Sequence, residues 1–397
     1  MKENTAKIVD FGTDGEPIAK TSEGKVIFLP PGSPVAIDDT VEYKEISRSK
    51  NIIHGEIVTV TETGPNHGDV ACPYFSQCGG CPLMANTYET QLRFKEKKVR
   101  DCLRRIASVD EKTLDEAFLP IVPSPKQFNY RNKVSFAIQG GKYGFFRPKS
   151  RDFTEVKNCM IAFPEVQKLL AELQSETDGN LVLRKSESRG EIMAFEDRTG
   201  ERPKILSSNT ILNEEISINE TTLTFQFGPR DFFQVNSHLM PQLYKTALDF
   251  AQIEKDQTVI DLYCGIGTIS LFAAKKAKTL LGIESFRDAQ RSAKGNAKLN
   301  KIENARFFAC DAQKLSSCLT QKDFDTVILD PPRKGASRRV LGQIVGAKRI
   351  VYVSCDPATL ARDIIFLKEK GFEVKKIRCF DMFPQTIHVE TVCLLEK

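Results

Sequence analysis

No stretch of the 397-residue sequence is apolar for long enough to cross a bilayer, and the amino terminus, MKENTAKIVD, lacks the apolar core of a signal peptide. A cytoplasmic protein with no membrane contact is therefore expected. Charge of one sign is also scarce: 57 Lys and Arg stand against 52 Asp and Glu, a net +5. That excess permits a polyanionic partner without demanding one. A hydrophobic content of 41% and a charged content of 27% are those of an ordinary globular chain, and the length predicts about two or three domains. What the sequence does have in quantity is cysteine, 11 residues. A reducing cytoplasm disfavours disulfides, so several of these thiols are expected to serve a metal or catalysis.

One short stretch, Val351–Pro357, reading VYVSCDP, is an apolar run ending in a cysteine flanked by turn residues. A run of β-branched and aromatic residues without polar alternation, closed by Asp-Pro, predicts a parallel strand buried on both faces. Cys355 then sits at its carboxyl end, the edge where open α/β sheets bind ligands. A cysteine there is either a small buried hydrophobe or a thiol placed to react. The neighbouring motifs favour the second. TVIDLYCGIGTIS reads as a strand, a turn and a helix start, in which Gly265 and Gly267 let the backbone pass close to a ligand. LLGIES follows, and its Glu284 is placed to hold both hydroxyls of a ribose. ARFFACDA and DTVILDPPR end two more strands at Asp311 and Asp330, the latter on a rigid Asp-Pro-Pro-Arg turn. HVETVCLLEK predicts a last, antiparallel strand at or near the sheet edge, with Glu390 either a solvated strand-end charge or a working carboxylate. From residue 229 strands alternate with helices, so the fold class is α/β with a doubly wound sheet. D-x-x-x-G-x-G followed by a strand and an acid suits S-adenosylmethionine better than a dinucleotide.

The first sixty or so residues read differently. AKIVDFG, KVIFLP, DTVEYKEI and HGEIVTV alternate apolar with polar residues between Gly and Pro turns, predicting a small antiparallel barrel that either binds nucleic acid or acts as a spacer. Next, CPYFSQCGGC places Cys72, Cys78 and Cys81 in a C-x5-C-x2-C run, with Cys159 of KNCMIAFP as a fourth thiolate from elsewhere. Four thiolates suit a four-iron cluster or zinc. The run is not the C-x3-C-x2-C of radical enzymes, which argues against radical chemistry. Residues 87–107 predict a helix with Leu92, Val99, Leu103 and Ile106 on one face. Arg93, Lys95, Lys97, Lys98, Arg100, Arg104 and Arg105 crowd the rest, as a phosphate contact or a solvated face. In YRNKVSFAIQGGKYGFFR, Tyr130, Tyr143, Phe145 and Phe146 are candidates to stack on unpaired bases, with Arg131, Lys133 and Arg147 for phosphates.

Taken together, CPYFSQCGGC, YRNK, FFQVN, DLYCGIG, LDPPR, SCDP and HVET resemble, in that order over nearly the whole chain, the bacterial RNA uracil-5-methyltransferases. The nearest branch modifies 23S ribosomal RNA and carries a TRAM barrel and an iron–sulfur cluster. The resemblance implies a Rossmann-like class I methyltransferase domain over 229–397 and an antiparallel TRAM/OB-like barrel over 1–66. It implies an α+β iron–sulfur and RNA-binding domain over 67–86 and 120–228, and a helical segment, 87–119, packed on the catalytic domain. It further implies a [4Fe–4S] cluster on Cys72, Cys78, Cys81 and Cys159, and contacts to S-adenosylmethionine from Gln234, Tyr263, Glu284, Asp311 and Asp330. Thr268 stands where relatives often have Asn.

The implied chemistry accounts for the residue types. Uracil C5 is too weak a nucleophile to take a methyl group from a sulfonium unaided. Addition of a Cys355 thiolate to C6 makes it electron-rich, and Glu390 is the base that later removes the C5 proton. The expected partner is RNA, 23S ribosomal RNA ahead of transfer RNA, met by a monomer. Two other readings are an amino-group methyltransferase, which would leave Cys355 without a role, and a non-catalytic iron–sulfur protein that binds RNA or senses redox state.

Overall fold

The computed structural model describes residues 4–49, 52–147, 150–175, 178–318 and 324–397. Alternate burial along each amino-terminal segment gives five strands, β1 (Thr5–Phe11), β2 (Pro17–Lys20), β3 (Val26–Phe28), β4 (Thr40–Ser49) and β5 (Ile52–Glu62). They close into a barrel in the order β1-β2-β3-β5-β4 around Ile8, Ala19, Ile27, Val41 and Ile53. The barrel is not wholly antiparallel, as the turn spacing suggested: β3 runs parallel to β5, Val26 beside Ile52. Directions cannot alternate all the way round a ring with an odd number of strands, so one neighbouring pair must be parallel.

The chain continues through α1 (Phe75–Cys78), α2 (Tyr88–Arg105), α3 (Glu111–Ala117) and β6 (Phe118–Val122). Helix α2 buries Gln91, Phe94, Lys95, Val99 and Leu103, while Ile106 is exposed. Its cations are not a free phosphate-binding face. Arg93 pairs with Glu89, Lys97 with Asp10 and Asp101, Arg100 with Glu111 and Asp115, and Arg104 with Asp101 and Glu111. Lys95 departs furthest from expectation: it is fully buried in an ion pair with Asp381, itself fully buried, because the segment after residue 380 covers that side of the helix. Breaking a buried pair leaves an uncompensated charge. The Lys95→Ala variant is therefore expected to lose about 3–5 kcal/mol of stability, measurable by urea unfolding, whereas Arg93→Ala, which removes an exposed pair, should cost less than about 1 kcal/mol.

Strands β7 (Lys133–Gln139), β8 (Lys142–Phe146), β9 (Phe153–Glu155), β10 (Gly179–Lys185), β11 (Ile192–Asp197) and β12 (Lys204–Ile205) form a six-stranded sheet in the order β12-β11-β10-β7-β8-β9, with α4 (Val166–Glu172) beside it. Its core holds Phe136, Tyr143, Phe163, Leu181 and Leu183. Tyr130 and Tyr143 are buried, so neither stacks on RNA; of the four aromatics expected to do so, Phe146 is the exposed one. The hairpin β13 (Leu212–Ile218) and β14 (Thr221–Phe227) stands apart from this sheet and packs Ile216 and Phe225 into the core that continues below it.

The remaining elements are α5 (Met240–Ala251), β15 (Thr258–Leu262), α6 (Thr268–Ala274), β16 (Thr279–Glu284), α7 (Arg287–Leu299), β17 (Ala305–Ala309), α8 (Leu315–Cys318), β18 (Thr326–Leu329), α9 (Arg338–Ile344), β19 (Arg349–Ser354), α10 (Pro357–Glu369), β20 (Glu373–Phe380) and β21 (Glu390–Glu396). With β6 they build an eight-stranded sheet, β17-β16-β15-β18-β19-β21-β20-β6. Its central strands are apolar throughout because both faces are covered. Val259, Ile328 and Val351 face one core, with α5, α6 and α7; Ile260, Leu329 and Tyr352 face the other, with α2, α3, α9 and α10. Strand β21 is antiparallel as expected, but β20 and β6 lie outside it, so it is an interior strand. Cys310 and Cys318 form a disulfide, because α8 folds back beside the end of β17. Among the described residues no helix is long and apolar enough to cross a membrane.

Candidate active site

The ends of five parallel strands, β15 to β19, supply the carboxyl edge of the sheet. After β15 the chain turns through Tyr263, Gly265 and Gly267, with φ of 63°, 53° and 86°. A Cβ on Gly267 would come within 3.2 Å of the Phe307 ring, so glycine is required there for its conformation and for the close approach. Asp261, the acid of the D-x-x-x-G-x-G run, lies beneath this turn, bonded to the Ser270 hydroxyl of α6, and burial pushes its carboxyl up to about 7. Glu284 ends β16 and accepts hydrogen bonds from the backbone N–H groups of Gly265 (3.1 Å) and Phe286 (2.7 Å). Asp311 caps the turn after β17, accepting from the Gln313 N–H at 2.9 Å. Thr268 donates to the Tyr244 hydroxyl at 3.1 Å.

Cys355 follows the last residue of β19 directly. The next residue, Asp356, caps α10 by accepting from the Thr359 N–H at 2.8 Å, with Pro357 in the first turn. The thiol is thus pinned between the end of a buried strand and a helix start. Glu390 opens β21 and is 2% exposed, which rules out the solvated strand-end reading; its strand is interior.

A single cleft of about 1110 Å³ is lined by Gln234, Tyr263, Glu284, Asp311, Asp330, Cys355 and Glu390. Every candidate catalytic and donor-binding residue read from the sequence therefore borders the same space. Burial, Glu390 and Asp330 push the Cys355 thiol up to about 12, against the pull of the Arg333 guanidinium. Burial alone raises Asp330 to about 7. Burial and Asp330 hold Glu390 well above the usual carboxylate range, again opposed by Arg333. Two buried acids and a thiol facing one cleft make a site that favours an incoming positive charge. The cleft also includes Phe232, Arg338, Phe366 and Phe383, which the sequence did not single out. Phe232 is 62% exposed, and nothing in FFQVN separates an exposed from a buried phenylalanine.

A second, small cavity is lined by all four cysteines of the proposed metal set, Cys72, Cys78, Cys81 and Cys159, with Tyr74, Phe75 and Phe145. Gly79, with φ of 67°, turns the chain between Cys78 and Cys81. Burial and mutual repulsion push the Cys78 thiol up to about 11 and raise Cys81 and Cys159 as well. The four thiols share one cavity; among the described residues no three His, Cys, Asp or Glu side chains are grouped so as to hold a metal ion.

A doubly wound sheet whose ligand edge carries a glycine turn, a strand-end acid and a cysteine beside two buried carboxyls defines a methyltransferase. The sequence model of the family described as tRNA (Uracil-5-)-methyltransferase matches residues 197–397. A protein of Halalkalibacterium halodurans, described as an uncharacterized RNA methyltransferase, is 33% identical over 98% of this chain and 96% of its own length. One from Bacillus cereus with the same description is 33% identical over 98% and 95%. Among solved structures, the Pyrococcus abyssi tRNA (uracil-54, C5)-methyltransferase in complex with S-adenosyl-L-homocysteine shares the fold, with a TM-score of 0.74 and 24% identity over 98% of this chain and 99% of that one. The chain belongs to this family and is an RNA (uracil-5-)-methyltransferase.

Proposed function

We infer that this cleft methylates C5 of a uridine in RNA with S-adenosylmethionine as donor, Cys355 as nucleophile and Glu390 as base. The observation that carries the reading is the meeting of Cys355, Glu390 and the five candidate donor-binding residues in one cleft. Gln234, Tyr263, Glu284, Asp311 and Asp330 form the donor's side of it, Glu284 toward the ribose. Bound there, S-adenosylmethionine supplies an electrophilic methyl group on a sulfonium. That positive charge suits buried Asp330 and Glu390 and favours the thiolate. Cys355 sulfur forms a bond to C6, and the C5–C6 π electrons move to give an enolate. Its C5 bonds to the methyl group, whose bond to sulfur breaks and leaves S-adenosylhomocysteine. Glu390 takes the C5 proton; the electrons of that C–H bond re-form C5=C6, and the C6–S bond breaks to return the thiolate.

The domain division 1–66, 67–86 with 120–228, 87–119 and 229–397 is proposed to follow these tasks, with the barrel and central sheet gripping RNA around the target. The donor set Cys72, Cys78, Cys81 and Cys159, four thiols on one cavity, suits a [4Fe–4S] cluster. Bound by them, the cluster would tie the α1 segment to the loop carrying Cys159. The proposed methyl transfer involves no net oxidation or reduction, so its part would be structural. The cysteine set and the closed barrel favour 23S ribosomal RNA. Transfer RNA is the second reading, favoured by full-length fold similarity to an enzyme described as acting on uracil-54 of tRNA.

The test supplies the purified protein with methyl-labelled donor and with unmodified 23S ribosomal RNA or transfer RNA, followed by mass spectrometry of RNA fragments. One 5-methyluridine in 23S ribosomal RNA is expected. Label in transfer RNA alone would overturn the ribosomal assignment, and label in neither would overturn the reaction.

A further inference from the structure

The segment joining β20 to β21, residues 381–389, delivers Phe383 to the cleft wall and leads straight into Glu390. It is held in an unusual way. Gln385 has a backbone φ of 73°, a left-handed conformation that a glutamine adopts only when its surroundings impose it. The imposing group is Gln91 on α2. Gln91 Nε2 donates to Gln385 Oε1 at 2.9 Å, and the Gln385 N–H donates to Gln91 Oε1 at 2.9 Å, so the two amides close a ring. Gln91 Nε2 also donates to the Asn86 carbonyl at 3.0 Å. Both side chains are buried, at 2% and 3% exposure. The Gln385 carbonyl accepts from the Leu83 N–H at 3.0 Å, two residues beyond Cys81.

The neighbouring residues tie this turn to the cleft. Lys95 Nζ donates to the Phe383 carbonyl at 2.9 Å, and the Tyr130 hydroxyl to the Pro384 carbonyl at 3.0 Å. The Thr386 hydroxyl donates to the Phe383 carbonyl at 2.8 Å and accepts from the His388 N–H at 3.2 Å. The His388 ring packs edge-on against Phe383, and its Nε2 lies 3.5 Å from Arg333 of the cleft. A change of φ at Gln385 therefore moves Phe383, His388 and the start of β21 together.

We propose that the Gln91–Gln385 amide ring is a positioning element of the methylation reaction, holding the 381–389 segment so that Glu390 meets the C5 proton. The inference rests on the reading of Cys355 and Glu390 given above. Its consequence is selective. Gln91 touches neither donor nor uracil, so loosening the segment slows the step that Glu390 performs while leaving thiol addition and methyl transfer in place. The methylated Cys355–RNA adduct then accumulates on ordinary uridine RNA.

The experiment measures steady-state methylation by Gln91→Leu, and the covalent protein–RNA complex on denaturing gels with uridine RNA and with 5-fluorouridine RNA. In the fluorinated RNA C5 carries no removable proton, so the adduct persists whatever the base does. For Gln91→Leu we expect kcat to fall about tenfold to a hundredfold with KM little changed, a normal adduct with 5-fluorouridine RNA, and a new adduct with uridine RNA. A merely structural role would lower adduct formation on both RNAs together, and that result, or an unchanged kcat, overturns the proposal. Gln385→Gly suits the left-handed turn and keeps the backbone bond to Gln91, so it folds even where Gln91→Leu does not. A smaller adduct on uridine RNA is expected from it, and its absence overturns the proposal. Failure of the native protein to form an adduct with 5-fluorouridine RNA would instead sink the reading of Cys355 itself.

Discussion

Replacing Cys355 by alanine is expected to abolish methylation, by a factor on the order of 10⁴ or more, as for removal of other enzymic nucleophiles. Donor and RNA binding should survive, because Cys355 lies at a strand end that β19 and the Asp356 cap hold without the sulfur. Isothermal titration with S-adenosylhomocysteine and a gel-shift with RNA separate binding from chemistry. Persistence of 5-methyluridine formation in the variant would end the adduct mechanism. The thiol itself offers a pH test. Because burial, Glu390 and Asp330 push it up to about 12, the neutral form dominates throughout the working range. The thiolate fraction then climbs about tenfold for each pH unit below that value. Alkylation of Cys355 by iodoacetamide, followed by peptide mass spectrometry, should be slow at neutral pH and rise without a plateau through about pH 10. A midpoint near pH 8.5 with a plateau by about pH 10, the behaviour of an ordinary cysteine, would contradict the electrostatics of the cleft.

Glu390→Gln should fail at the other end of the reaction. The amide has nearly the shape of the acid but cannot take a proton, so thiol addition and methyl transfer proceed and the C5 proton stays. Turnover is expected to drop about 10² to 10⁴-fold, with covalent protein–RNA complex accumulating on plain uridine RNA. The raised proton affinity of Glu390 fits the role: a carboxylate made more basic by burial and by Asp330 is a stronger acceptor for a carbon-bound proton. The two variants divide the mechanism. Cys355→Ala yields no adduct on any RNA, and Glu390→Gln yields adduct without release. A Glu390→Gln protein that turns over normally would move the base elsewhere, with Asp330 the first group to examine.

The catalytic edge was legible in the sequence because its motifs are local. VYVSCDP, DLYCGIG and LDPPR each carry a strand and the turn that ends it, and parallel strands buried on both faces announce themselves as unbroken apolar runs. Once each strand is placed, the residue at or just past its end lies at the ligand edge, so Cys355, Asp330 and Glu284 follow. What escaped was non-local. Lys95 reads as one cation among seven, and only the pairing with Asp381, 286 residues away, makes it a core residue. The place of β21 inside the sheet depends on β20, which pairs along its other side, with β6 taking the edge beyond it. Tyr130 and Tyr143 looked like base-stacking groups because pattern records composition, while exposure depends on the neighbours that fold over a side chain. The Gln91–Gln385 ring has no sequence signature, since two glutamines 294 positions apart are unremarkable until the fold joins them.

The position of β6 has a bearing on how the protein is made. This strand lies at residues 118–122, yet its neighbour in the sheet is β20, whose residues 373–380 are synthesised about 250 residues later. At about 5–20 residues per second, the amino-terminal barrel has many seconds to close on local pairings. Meanwhile α2, carrying Gln91 and Lys95, waits with its apolar face uncovered. The ordering of the 381–389 segment thus comes after the barrel has closed, and the Glu390 carboxyl arrives with it. A nascent chain halted before β21 would own a finished barrel and no working cleft, and its exposed α2 would be a natural binding site for chaperones.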